Sequence, residues 1–427
     1  MNSSLNLNLV SKQQLSSSIN ERGKRIRRGE AVSESFTSSL EQKPVGKNQV
    51  FRRRRIMKVK KVVLLQWKKV RKSKLVRLKS NLIVFKISIV LIVGIISLSA
   101  FSQQNKIIHY SKKPIHARAF DGEYIGTNNG EIYRYNELTD SFKIVNLLDT
   151  FPEIRDIHST IRNEVIAMQT GNHGAIIIID SFGKITRTPF FENNDSTKSI
   201  FLDGMSYYGD LGFLMGDPVN SHFSLYKSTD GGKNWIPCKS RIKAFSGEAA
   251  FAASGSTVEI INGNFSFVSG GLKSRYFVSS DQGNTWKFFD IPFPSCESCG
   301  PYSMCYLQKN KIEFDSNKIV VVGGDYTKPN ESNNTCFYSL NGGKTWKKPK
   351  KSPRGYRSCV IFTDEVLYCC GTNGIDYSTD FGRSWEPLSN ENCFALTSKD
   401  KLLFATTSNG RILTFEKIKK SRVDLGY

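Results

Sequence analysis

The chain has only five histidines, His109, His116, His158, His173 and His222, and none stands close to another in sequence. An imidazole-based metal centre needs such residues at short spacing, so no metal site is assigned. There is no Gly-x-Gly-x-x-Gly after a strand-like run, no Cys-x-x-Cys-His haem attachment and no flavin fingerprint. Nucleotide-dependent redox chemistry is thereby disfavoured and no cofactor is expected. Cysteine is absent before Cys238, which is the first of nine. An odd number leaves at least one thiol unpaired even in an oxidising compartment. Cys296-Glu297-Ser298-Cys299 has the spacing of a redox or zinc half-site. It lies in a Pro- and Ser-rich stretch with no second Cys-x-x-Cys, so it reads as a local disulfide or as plain loop cysteines. Acidic residues are scarce in 1–80, which carry 22 Lys and Arg against four Glu, a net of +18. Long apolar runs are scarcer still, with one at 82–101.

These shortages divide the chain. The whole sequence carries +23, but residues 103–427 hold only 38 basic and 34 acidic side chains. The high charge therefore belongs to the N-terminal segment, and nucleic-acid binding by the remainder is not expected. Residues 1–80 are Ser-, Asn- and Arg-rich without apolar periodicity over most of their length, and are expected to be disordered. Met57 as the true start would leave an ordinary basic region before the apolar run. An organellar transit peptide is the alternative for 1–56. Residues 81–102 read as a secretory signal cleaved near Gln103, with small residues at Ala100 and Ser102, or as a membrane anchor of about 20 residues. Either reading places the rest of the chain in an exported compartment, in the periplasm, at the cell surface or secreted.

What the chain has instead is repetition. Ser228-Thr229-Asp230-Gly231-Gly232-Lys233-Asn234-Trp235 returns as Ser279-Ser280-Asp281-Gln282-Gly283-Asn284-Thr285-Trp286, as Ser339-Leu340-Asn341-Gly342-Gly343-Lys344-Thr345-Trp346, and as Ser378-Thr379-Asp380-Phe381-Gly382-Arg383-Ser384-Trp385. The pattern Ser-x-Asp/Asn-x-Gly-x-x-Trp holds four of the five tryptophans. Asp or Asn can close a tight turn onto nearby backbone N–H groups. The glycine takes a backbone angle that side chains forbid. The Trp returns a large apolar surface to the body, where it can fill the gap between units. Short alternating runs such as Phe223-Ser224-Leu225-Tyr226 precede each copy and read as strands. The repeats resemble Asp boxes, the BNR-type turns of sialidase-like β-propellers.

A template of an inner strand followed by three more fits most of the remainder. Unit one runs through 115–120, 123–127, 131–135 and 142–146, and unit two from Ile154 through 175–180 and 185–190, with half a box at Asp180-Ser181-Phe182-Gly183. Units three to six end in the full boxes. Unit seven, at 393–397, 402–407 and 412–415, lacks one strand, which 106–110 can supply. The expectation is an all-β, seven-bladed β-propeller of four-stranded antiparallel blades over 106–416, with a C-terminal tail at 417–427.

Aligning the inner strands gives one column: Arg118, Arg155, Asp203, Glu248, Ser303, Arg357 and Phe394. Pointing the same way, these would converge on the central channel. They would form an internal ion-pair girdle or a charged mouth suited to a carboxylate. Asp217, Asp325 and Tyr326, in neighbouring loops, would rim it.

FLDGMSYYGDLGFLMGDP (201–218), GEAAFAASGS (247–256), VVVGGDYTKP (320–329), GYRS (355–358) and GIDYSTDFGRSW (374–385) are similar to a family of exported bacterial propellers. These are labelled photosystem II stability/assembly-factor-like or oxidoreductase. The resemblance implies a non-enzymatic scaffold, probing a protein or peptide partner in the cell envelope with basic residues matching Arg118, Arg155 and Arg357. No catalytic residue is assigned, and a monomer is expected. The alternative is a sialidase-type glycoside hydrolase acting on a glycan. Such an enzyme needs three arginines around a substrate carboxylate, while its Arg-Ile-Pro signature is absent here.

Overall fold

In the computed structural model the described residues are 106–112, 115–147, 153–171, 174–191, 199–308 and 314–419. All belong to one compact unit, Ser97–Tyr427. The basic segment 1–80, the apolar run 81–102 and most of the tail lie outside the described residues. Among the described residues no helix is long and apolar enough to cross a membrane.

The strands form seven antiparallel sheets in chain order, the blades of a propeller. Blade 1 comprises Ala117–Phe120, Tyr124–Thr127, Glu131–Asn136 and Ser141–Leu147, and blade 2 comprises Glu153–Ser159, Val165–Thr170, Ala175–Ile179 and Ile185–Pro189. Blade 3 spans Leu202–Tyr208, Leu211–Val219, His222–Ser228 and Ile236–Pro237. Middle strands are apolar on both faces because each sheet is sandwiched between two others. Ala175–Ile179 is buried throughout, whereas the outer strand Ile185–Pro189 is mostly exposed.

Seven apolar clusters fill the seven gaps between blades. Phe213 and Met215 of blade 3 meet Phe265 and Phe267 of blade 4, for example. The ring closes as the sequence suggests. Lys106–His109 pairs with Arg411–Glu416, from Lys106 opposite Thr414 to His109 opposite Arg411, and completes blade 7 beside Leu396–Lys399 and Leu402–Thr406. Its Ile108 joins Phe404, Ile412, Ile125 and Tyr133 between blades 7 and 1. Closure removes the unpaired sheet edges of an open fold.

Each box is the turn between the third and fourth strands of its blade. In the first, Ser228 Oγ donates to Asp230 Oδ1 at 2.8 Å and accepts from Gly232 N at 2.8 Å, while Asp230 Oδ1 accepts from Asn234 N at 3.0 Å. The same bonds recur at Ser279, Asp281 and Gly283, at Ser339, Asn341 and Gly343, and at Ser378, Asp380 and Gly382. Gly232, Gly283, Gly343 and Gly382 have φ of 86°, 83°, 79° and 80°, in the region that favours glycine. Bonds from the Thr285 side chain and backbone pull the Asp281 carboxyl down to about 2. The tryptophans Trp235, Trp286, Trp346 and Trp385 each pack into the gap with the preceding blade, Trp385 fully buried and the others partly.

Two blades depart from the template. The outermost strand of blade 5 is reduced to a bridge between Tyr338 and Lys347, outside Cys299–Gln308, Phe314–Asp325 and Cys336–Ser339. The inner strand of blade 4 is broken into Glu248–Ala249 and Val258–Ile261, and the intervening residues 250–257 leave the sheet.

Candidate functional site

A cavity of about 550 Å³ is lined by residues of all seven blades, which places it on the propeller axis. Arg118, Arg155, Asp203, Asp217, Tyr326 and Phe394, expected at the channel mouth, all line it. Backbone irregularity aims several of these side chains. The register of the two innermost strands shifts between Ala117 and Ala119, between Ile154 and Asp156, between Leu202 and Gly204, and between Pro301 and Ser303. The residues inside those shifts are Arg118, Arg155, Asp203 and Tyr302. A bulge leaves one residue out of the ladder and re-aims its side chain, and here that direction is the cavity.

The column therefore needs correction. Tyr302, not Ser303, is the blade 5 member. Ser303 is fully buried, with its Oγ bonded to Ser256 Oγ at 2.6 Å and accepting from Val360 N at 2.8 Å. Glu248 is not on the cavity wall. It faces into blade 4, where it accepts from Arg275 Nε at 2.8 Å and Nη2 at 2.6 Å, and Arg275 lies against the rings of Phe245, Phe277 and Phe288. Arg357 is not on the wall either. It is fully buried, donating to Asp376 from Nε at 3.0 Å and to Asn373 Oδ1 at 2.6 Å. Neither position falls at a bulge: Arg357 precedes the strand Cys359–Thr363, and Glu248 lies at the end of a two-residue strand. Asp325 lies outside the lining and accepts from Ser298 Oγ at 2.7 Å and Thr327 N at 2.9 Å. Beside it Cys296 and Cys299 form a disulfide, one of the two readings of that motif, which leaves them no thiolate to offer a metal.

Charge in the cavity is divided between two sides. Glu153, which the sequence reading missed, is held by both arginines: 2.9 Å from Arg155 Nε and 3.6 Å from Arg118 Nε. It stands two residues before Arg155 on one strand, and the two side chains meet with Arg155 at the register shift. Arg155 is the better-bonded arginine, since its Nη2 donates to Glu153 at 3.1 Å and its Nη1 to the Ala252 carbonyl. Arg118 lies 4.5 Å above the Phe394 ring, and its Nε makes no hydrogen bond. Burial and then the charge of Arg155 lower its pKa, and the charge of an arriving anion would oppose both effects. On the blade 3 side Asp203 is buried and Asp217 Oδ1 accepts from Ala250 N at 3.1 Å. Burial pushes both carboxyls above the usual range, Asp203 far above.

The loop 250–257 crosses from blade 4 towards the opposite blades. Ala250 is held by Asp217 of blade 3, Ala252 by Arg155 of blade 2, and Ser254 Oγ donates to the Ser358 carbonyl of blade 6 at 2.9 Å. Phe251, between the first two anchors, stacks on Tyr302 with ring centroids 4.2 Å apart and planes 3° from parallel. Tyr356 and Tyr326 meet Tyr302 edge-on at 4.8 Å and 6.3 Å. The result is a cup with two arginines on one side, two carboxyls on another and an aromatic wall.

The model of the BNR/Asp-box repeat family matches residues 337–348, which hold the third box. The chain is a seven-bladed β-propeller in which four blades end in this turn. Solved structures share its fold. A structure of YCF48 bound to D1 peptide aligns with a TM-score of 0.51 at 13% identity, over 74% of this chain and 97% of that one. YCF48 from Cyanidioschyzon merolae gives 0.50 at 13% identity, over 73% and 98%. Catalytically inactive virginiamycin B lyase from Staphylococcus aureus with quinupristin gives 0.52 at 13%, over 74% and 99%. No curated protein matches by sequence. At these identities the likeness is one of fold, and this fold carries both a peptide-bound protein and a lyase, so function must be argued from the site.

Proposed function

We propose that this propeller is a binding or assembly scaffold whose central cup receives a segment of a protein or peptide partner, with Arg118 taking a carboxylate. The observation that carries this reading is the cup itself. All seven blades shape it, and it presents an incompletely bonded arginine beside a stacked aromatic wall. Aromatic faces bury apolar side chains without fixing their identity, and a guanidinium holds a carboxylate through charge-assisted bonds. The peptide-bound YCF48 structure supports the reading by showing that this fold can accept such a ligand. The apolar run 82–101 supports an exported setting for the scaffold, where a mature N-terminus near Gln103 is the expected observation.

A sialidase reading is less well supported. It needs three arginines around one substrate, and Arg357 is fully buried on Asp376 and Asn373, away from Arg118 and Arg155. The test is binding of short peptides ending in a free carboxylate, compared with their amidated forms. The free forms should bind more tightly, and Arg118→Ala should abolish the difference, about tenfold for one charge-assisted contact. Equal binding of both forms, or turnover of a fluorogenic sialoside, would overturn the proposal.

A further inference from the structure

The blade 3 side of the cup holds a carboxyl that the described protein does not answer. Asp203 lines the cavity, is 1% exposed, and no side chain hydrogen-bonds its oxygens, while the backbone N–H that faces it, that of Asp217, donates to the Phe201 carbonyl at 3.0 Å. Such a group is costly to keep, and buried polar atoms are nearly always satisfied. The cation that acts on it, Arg155, is paired with Glu153, to which its Nη2 donates, and bonded to the Ala252 carbonyl through Nη1, although its Nε makes no hydrogen bond. The other charged group acting on it is Asp217, a second acid. The backbone amide that Asp217 accepts belongs to Ala250, next to Phe251, whose ring is stacked on Tyr302. Two carboxyls and two aromatic rings lining one cavity are a setting in which an ammonium or guanidinium can be held by charge and by ring faces together.

We infer that Asp203 and Asp217 form a cation subsite of the cup, which takes a lysine or arginine side chain of the bound segment. This rests on the reading that the cup holds a peptide. It adds a polarity to that reading, because Arg118 and the acidic pair lie on different blades. A segment with a cationic side chain and a carboxylate spans them in one direction only. Burial pushes the Asp203 carboxyl upward, the charge of Asp217 adds to that effect, and Arg155 and the Asp217 backbone N–H oppose it.

The experiment is affinity selection by the purified full chain from N-acetylated random short peptides with free carboxyl ends, read by mass spectrometry. Wild type, Asp203→Asn, Asp217→Asn and Arg118→Ala are run in parallel, with melting temperature measured for each. Lysine and arginine should be enriched about tenfold on wild type. The enrichment should be lost on Asp203→Asn and reduced on Asp217→Asn. The wild-type enrichment stands as a result even where a variant fails to fold. Peptides retained by wild type and lost on Arg118→Ala, but without cationic bias, would overturn the inference and leave the scaffold reading intact. Equal recovery on wild type and folded Arg118→Ala would defeat both. Cationic bias that persists in folded Asp203→Asn and Asp217→Asn would place the cation elsewhere and overturn the inference. A calcium-dependent rise in melting temperature, absent in Asp203→Asn and without peptide bias, would assign the carboxyls to a metal ion and overturn it too.

Discussion

The inner strands of blades 1 to 3 and those of blades 4 and 6 carry the same kinds of charged residue and use them in opposite ways. In blades 4 and 6 the charges are sealed. Glu248 and Arg275 bond each other through two contacts, and Arg357 and Arg354 both hold Asp376, which is 1% exposed. In blades 1 to 3 the charges face the cup and are under-satisfied, with Arg118 Nε and both Asp203 oxygens unbonded. The difference is made by the backbone, since the cup-facing charges sit inside register shifts and the sealed ones do not. Stability and recognition thus draw on one residue type at aligned positions, and the local twist of the strand decides which role is served.

The largest effect that can break this division is Arg357→Ala. It leaves Asp376 buried with only Arg354 beside it, and breaking a buried pair typically costs about 3–5 kcal/mol. A clear fall in denaturant midpoint is expected, whereas an unchanged midpoint would show that the sealed set is not structural. Of the two readings of the column, Arg357 follows the ion-pair girdle rather than the charged mouth. Trp385→Ala belongs to the same class. Trp385 is 1% exposed between blades 5 and 6, and truncating a buried Trp costs about 3–5 kcal/mol. Trp286→Ala, at a partly buried ring, should cost less. Calorimetry that ranks the two in the other order would show that exposure is not what sets the value of a box tryptophan.

Much of this fold is local and therefore visible in sequence. The boxes are turns made by residues within a few positions of each other, and apolar runs mark strands sandwiched between blades. The orphan strand before blade 1 is implied by the strand missing from blade 7. The site is less local. Arg118 and Arg357 look alike in sequence, yet Arg118 sits at a register shift inside its strand whereas Arg357 precedes its strand and is held by Asp376 and Asn373. The broken inner strand of blade 4 was hidden because Ala250–Ala253 is as apolar as a strand. Its departure from the sheet depends on Asp217 and Arg155, anchors far away in the chain. Tyr302 and Phe251 were missed because aromatics at inner strands are more often core than wall.

A smaller effect sharpens the comparison from the acidic side. Asp156, neighbour of Arg155, points the other way. It is buried, accepts from Ile157 N at 2.9 Å and Met205 N at 3.0 Å, and burial raises its pKa from 3.8 to about 6, opposed by His158 and assisted by Asp121. The folded state therefore binds its proton more tightly than the unfolded chain does. The Asp156 contribution to stability should fall as pH rises from about 4 to about 6 and level off above, by no more than about 3 kcal/mol. Asp156→Asn loses one backbone contact at every pH but abolishes this slope. A pH-dependence of melting temperature identical in the two proteins would remove Asp156 as its source.

The smallest effect on stability is expected where the largest effect on binding is proposed. Arg118 is partly exposed to the cup, its contact with Glu153 is long at 3.6 Å, and its pKa is lowered by burial and by the charge of Arg155. Its attractive contact with Phe394 is offset by that desolvation and like-charge repulsion. Arg118→Ala should change the unfolding free energy by no more than about 0.5 kcal/mol, the range of substitutions outside structural networks. Removing the repulsion leaves Glu153 to Arg155 alone, so the balance tilts towards stabilisation. A loss comparable to that of Arg357→Ala would mean that Arg118 is part of the same sealed girdle, and the division between blades 1 to 3 and blades 4 and 6 would collapse. An unchanged midpoint together with lost peptide binding would instead locate recognition at a residue the fold does not need.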